Sequence, residues 1–123
     1  MKGGIVEEVN LFGQKEVNGV PTDAIQELFD FWKQTFNKRS STVLDTARQK
    51  KLSAAIKAYG TDTCQKAILG CSYSDWHTGK NPGNKQYTDL TLIFRNADKV
   101  EMFLDIYEQE AEGRKEMDEW LNS

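Results

Sequence analysis

The chain has 123 residues, 38% hydrophobic and 28% charged, with a formal net charge of −3. One domain is the default at this length, large enough to bury a core without disulfide or metal staples. No apolar run approaches the ~18 residues of a membrane span, and the opening M-K-G-G-I-V-E-E-V carries early acids instead of a secretory core. A cytoplasmic protein is expected.

The charge is unevenly spread. Lys33 to Lys57 holds seven bases (Lys33, Lys38, Arg39, Arg48, Lys50, Lys51, Lys57) and one acid, Asp45. Asn96 to Ser123 holds nine acids and three bases. A basic middle of this kind either faces a polyanion or forms a solvated helix face.

Residues 1–21 read as an irregular N-terminal arm, broken by Gly3, Gly4, Gly13, Gly19 and Pro21. Val17-Asn18-Gly19-Val20 carries an Asn-Gly turn signal, but a hairpin standing alone would be marginal. Glu8 to Phe12, E-V-N-L-F, resembles the short Q-x-x-L-F peptides that dock into bacterial sliding clamps, with Glu8 in place of Gln. That places Leu11 and Phe12 among the candidate partner contacts.

Thr22 is the expected cap of a first helix, on which Ile25, Leu28, Phe29, Trp32 and Phe36 recur at helical spacing. It is expected to end near Asn37. After a loop from Lys38 to Val43, Asp45 or Thr46 caps a second helix running to Tyr59 and stopped by Gly60. Its apolar face, Leu52, Ala55, Ile56 and Tyr59, is narrow, so a surface position with exposed bases is expected. Thr61 is the expected cap of a third helix, with Cys64, Ala67, Ile68 and Cys71 on one face. The pair imitates a helix-turn-helix, yet the third helix is too apolar and too poor in Arg, Lys, Asn and Gln to read a groove.

Ser74 to Arg95 begins as a long loop rich in Gly, Asn and Pro and turns into an apolar run. Thr88 or Asp89 caps a short helix through Leu90, Leu92, Ile93 and Phe94, for which a strand is the rival. Asn96 caps the last helix, packed through Val100, Phe103, Leu104, Ile106 and Tyr107. From Glu108 the pattern turns polar, with a break expected at Gly113. Met117, Trp120 and Leu121 then form an i, i+3, i+4 apolar set among acids, a pattern common to partner-docking helices.

Catalytic signals are weak. There is one His, no nucleophile elbow and no phosphate-binding glycine loop. Asp75 and His77 beside Ser72 or Ser74 lack an orienting third group and an oxyanion hole in recognisable form. Cys64 and Cys71 lie two helical turns apart, roughly 10 Å along the axis, too far for a disulfide. They read as buried hydrophobes, and with one His they make a poor zinc site. No metal and no cofactor are expected.

Binding signals are better. Trp76, His77, Lys80, Asn81, Asn84, Lys85 and Tyr87 interleave aromatics with bases, as single-stranded nucleic acid binders do. Trp76 and Tyr87 equally suit pinning the loop inward, and that is the favoured role for both. His77, Asn81 and Arg95 are likewise read as loop-structuring. Lys80 and Lys85 remain candidates for contact.

One combination of residues resembles a known family. F-D-F-W-K (Phe29 to Lys33), Arg48, Ala67-Ile68, D-W-H-T-G-K-N (Asp75 to Asn81), Tyr87, Leu90 to Arg95 and K-V-E-M-F-L (Lys99 to Leu104) are similar to the C-terminal domain of phage and prophage replication proteins, the replisome-organizer or primosome type. Such proteins usually carry a winged-helix domain upstream, for which residues 1–21 leave no room, so none is expected with this sequence. The resemblance therefore implies the module that contacts single-stranded DNA or replisome proteins, not origin recognition, and a host-cell cytoplasm.

The resulting expectation is an all-α, single-domain bundle of four or five helices with one long Gly/Asn/Pro loop. It divides into the arm 1–21, a helical domain 22–107 and an acidic, partly helical tail 108–123. Single-stranded DNA would be held by Arg48, Lys50, Lys51, Lys80 and Lys85. A replisome or host protein would be held by Leu11, Phe12, Met117, Trp120 and Leu121. The alternative is a protein-interaction module that binds and inhibits a host protein.

Overall fold

The structure is a computed structural model that describes residues 7–9, 13 and 15–122. Its elements run β1 (Glu7–Val9), β2 (Lys15–Val17), β3 (Val20–Pro21), α1 (Thr22–Thr35), α2 (Thr46–Tyr59), α3 (Thr61–Ser72), α4 (Leu90–Ile93) and α5 (Ala97–Leu121). The all-α expectation is corrected here: the fold is mostly helical but includes a three-stranded antiparallel sheet in the order β1-β2-β3.

The described part of the arm is thus not irregular. Asn18 and Gly19 both adopt positive φ (52° and 83°), the turn that an Asn-Gly pair favours between two strands. Val17 pairs with Val20 across that turn, and both side chains are buried. Asn18 Nδ2 also donates to Ser53 Oγ on α2 at 3.5 Å. The hairpin is marginal alone but does not stand alone, because it closes one end of the helical core. Leu11 and Phe12 lie outside the described residues.

α3 is the central helix, packed against α1, α2, α4 and α5. Its face Cys64, Ala67, Ile68 and Cys71 is fully buried, facing Ile25, Leu28, Phe29 and Trp32 of α1 and Val100 and Phe103 of α5. Each fully buried aliphatic or aromatic side chain here contributes about 1.5–3 kcal/mol. Gly60 alone joins α2 to α3. Its φ of 86° lets its N–H close α2 on Ile56 O while its carbonyl accepts from Cys64 at the start of α3.

The helix starts differ in how they are capped. Asp45, Asp89 and Asn96 cap α2, α4 and α5 through their side chains. Thr22 and Thr61 are instead the first residues of α1 and α3, preceded by Pro21 and Gly60 without a side-chain cap. Leu90–Ile93 is helical, since β1 to β3 lie elsewhere and offer it no strand partner. Gly113 does not break α5, which continues as one helix to Leu121. From Glu108 onward every described residue of that helix is exposed. No helix among the described residues is long and apolar enough to cross a membrane.

α3 and α5 cross closely at Gly70. A Cβ there would overlap the backbone carbonyl of Phe103, whereas at Gly113 it would meet nothing within 4 Å. Gly70→Ala is therefore expected to lower stability by about 1–3 kcal/mol in urea unfolding. Gly113→Ala should leave it unchanged or raise it by up to about 1 kcal/mol.

Candidate functional site

The long loop is organised by one side-chain amide. Asn81 Nδ2 donates to the carbonyls of Trp76 (2.8 Å) and Lys85 (2.6 Å), and its Oδ1 accepts from the N–H groups of Gly83 (3.2 Å) and Lys85 (3.1 Å). Both ends of the amide are satisfied, so residues 76 to 85 close into one unit. Pro82 and Gly83 occupy the middle of the turn closed by Asn84 N–H on Asn81 O. Thr78 Oγ1 donates to Ser74 O at 2.9 Å and steadies the entry.

An aromatic stack rises from the core through this loop. His77 is buried and meets Phe103 edge-on at 4.9 Å between ring centroids. Trp76 meets His77 edge-on at 5.1 Å and lies nearly flat on Tyr87, at 4.9 Å and 15°. Tyr87 is half-buried, with Lys85 Nζ 5.5 Å from its ring centroid. Trp76 is 50% exposed, so one side of its indole is held and the rest is at the surface. The inward role expected of Trp76 therefore describes only half of the ring.

Ser74 Oγ lies 2.7 Å from His77 Nδ1 and also accepts from the His77 backbone N–H at 3.3 Å. Its own hydrogen is then available to Nδ1 of a neutral imidazole. Burial, aided by the charge of Lys99, holds the His77 pKa below its ordinary value. Asp75 does not join this pair, since its carboxylate lies 3.6 Å from Lys80 Nζ. Ser72 Oγ donates to Leu69 O. No group of three or more His, Cys, Asp or Glu among the described residues is placed to hold a metal. Burial pushes the Cys64 and Cys71 thiols up to about 12.

The exit of the loop is fastened to α1 and α2 around Trp32. The buried indole N–H of Trp32 donates to Thr88 O at 2.7 Å. Lys38 Nζ lies 5.2 Å from the Trp32 ring and donates to Thr88 Oγ1 at 2.8 Å. The Arg48 guanidinium lies 5.3 Å from the same ring and donates to Asp89 Oδ1 at 2.9 Å and Val43 O at 3.0 Å. Burial opposes the charge on Asp89, but hydrogen bonds from Thr91 and Arg48, with the Arg48 charge, outweigh it and hold its pKa below the usual range. Burial, with Arg48 nearby, lowers the Lys38 pKa against the pull of Asp89.

The five bases expected to hold nucleic acid are thus held on three separate features. Arg48 is committed inside the fold. Lys80 and Lys85 rim the loop. Lys50 and Lys51 line an open groove of about 570 Å³ on α2 with Thr46, Ala47, Ala54 and Thr91. A smaller hollow lined by Lys51, Ala54, Ala58, Tyr59 and Phe94 continues it. Arg95 is exposed, and among the described residues its side chain joins none of the hydrogen bonds that shape the loop. Met117, Trp120 and Leu121 are 58%, 73% and 65% exposed near the end of α5. Arg114 pairs with Glu110 and covers the Tyr73 ring, bracing the start of that projection.

Sequence reasoning missed Lys38 and Asp89 as partners of the loop, having read one as part of a basic run and the other as a cap. It also missed the groove. The alanines of α2 at positions 47, 54 and 58 were the visible signal, but the opposite wall comes from Thr91 and Phe94, far along the chain.

Arg48→Ala is expected to lower stability by about 1–3 kcal/mol in urea unfolding, because Asp89 Oδ1 and the Val43 carbonyl lose the Arg48 donor. The lowered His77 pKa ties stability to pH. The unfolded chain takes up a proton near pH 6.5, before the folded chain does. The His77 contribution to stability is therefore constant above that pH and falls as pH drops from it toward the lower folded value. Urea unfolding from about pH 8 to 5 should show this slope, and His77→Gln should remove it.

No family model, curated protein or solved structure matches this chain.

Proposed function

We propose that this protein is a non-catalytic DNA replication accessory module of the phage type, which binds single-stranded DNA and contacts a protein through the end of α5. The observation that carries the DNA half is the platform at Trp76. Its indole is stacked on Tyr87 on one side and half exposed, with Lys85 at Tyr87 and Lys80 along the same loop. A base stacks on such a face without regard to its identity, and the lysines neutralise the adjoining phosphates. The ring is already oriented by Tyr87 and by the Asn81-closed loop, so little freedom is lost when a base arrives. The resemblance to replisome-organizer modules supplies the biological setting.

The protein half rests on the projection of α5. Met117, Trp120 and Leu121 occupy about one third of the helix circumference and leave large apolar area in water. An amphipathic helix end of this kind docks by laying its apolar face in a groove. A protein-interaction module acting on a host protein would use the same end.

Binding of a labelled oligo(dT) should weaken steeply between about 50 and 200 mM salt. Trp76→Ala should cost about tenfold or more in affinity, and Lys80→Ala with Lys85→Ala should flatten the salt dependence. No binding by the unaltered protein at low salt, or equal affinity for Trp76→Ala, would sink the DNA half.

A further inference from the structure

Resting on the reading of α5 as a protein-contacting helix, we infer that its partner is a second copy of this chain, whose α2 groove receives the α5 end. The two surfaces match in shape, length and charge. On α2, Ala47, Ala54 and Ala58 form an exposed floor of small side chains, with Thr91 and Phe94 as the far wall. On α5, Met117, Trp120 and Leu121 form an exposed ridge of large ones, with Gly113 one turn before Met117. A small-residue floor lets another helix approach closely, and bulky side chains fill the space above it.

The lengths agree. Ala47 to Ala58 extends roughly 17 Å and Gly113 to Leu121 roughly 12 Å at helical rise. The ridge therefore fits within the floor.

The charges are opposite. α2 carries Lys50, Lys51 and Lys57 on or beside the floor and no acid, while its Arg48 is engaged by Asp45 and Asp89. Residues 108–121 carry six acids (Glu108, Glu110, Glu112, Glu116, Asp118, Glu119) against Arg114 and Lys115. Glu116 and Asp118 flank the ridge on its two sides, while Lys50 and Lys51 line the floor. Arg114 is turned back to Glu110 and Tyr73, so it does not oppose the approach. Two α5 ends would repel each other by the same count, which disfavours pairing of like helices.

The contact is made between copies, not within one. α5 is a single helix from Ala97 to Leu121, anchored by Val100 and Phe103. Its end therefore stays clear of the α2 of its own chain. Two copies can exchange ends reciprocally, giving a closed two-fold dimer with two equivalent contacts.

Sedimentation equilibrium across a concentration series tests the inference. The unaltered protein should dimerise, more weakly at high salt. Two variants should each associate at least about tenfold more weakly: the groove variant Lys50→Glu/Lys51→Glu and the ridge variant Glu116→Lys/Asp118→Lys. Mixing these variants should restore a dimer, because both contacts then join opposite charges. Trp120→Ala with Leu121→Ala, at exposed positions, should also yield monomer. A protein monomeric at every concentration overturns the inference, as does a dimer indifferent to groove reversal or a mixture that stays monomeric. Capture of a replisome or host protein, lost in Trp120→Ala with Leu121→Ala while the unaltered protein is monomeric, leaves the α5 reading standing and the second copy refuted.

Discussion

Everything around the loop depends on how Trp32 is enclosed. Its indole is buried in the helical core, yet its N–H reaches a carbonyl at the loop exit, Thr88 O at 2.7 Å. A buried indole N–H without a partner would be costly, so this bond sets where residue 88 must sit. Lys38 and Arg48 both approach the ring and both reach the same short segment, one at Thr88 and the other at Asp89. Asp89 is at once the cap of α4 and the counter-ion of Arg48. Core packing, loop placement and the start of α4 are therefore one linked arrangement.

That linkage changes what the basic middle segment means. A count of bases cannot separate a cation that faces solvent from one that closes the interior. Lys38 and Arg48 are drawn inward by an aromatic face and a carboxylate, where desolvation is offset by cation–π contact and charge-assisted hydrogen bonds. Lys50 and Lys51 lie on the α2 face that lines the groove. Arg48 and Lys50, two positions apart on one helix, thus take unlike roles because they point about 160° apart. The function proposed follows that sorting: the loop presents a stacking face, and α2 presents a basic trough.

The long loop shows how a polar stretch becomes rigid without secondary structure. Asn81 supplies four hydrogen bonds from one side chain. Below it, His77 and Phe103 carry the contact down to the core. Trp76 is then fixed on one side and open on the other, a condition that suits a surface built to receive a flat ring.

Helix periodicity determined α1, α3 and α5 from sequence, since Ile25-Leu28-Phe29-Trp32 and Cys64-Ala67-Ile68-Cys71 repeat at the spacing of one buried face. The Asn-Gly pair at 18 and 19 determined a turn, because few other residues accept two successive positive φ values. Tertiary structure decided the rest. It made the hairpin stable by burying Val17 and Val20 and required Gly70 where α3 meets Phe103. It alone set Arg48 against Asp89, 41 residues apart, and set Thr91 and Phe94 beside the alanines of α2. Local signals act over one turn of chain, whereas which cations are neutralised and which faces stay open depends on neighbours that only the folded chain brings together.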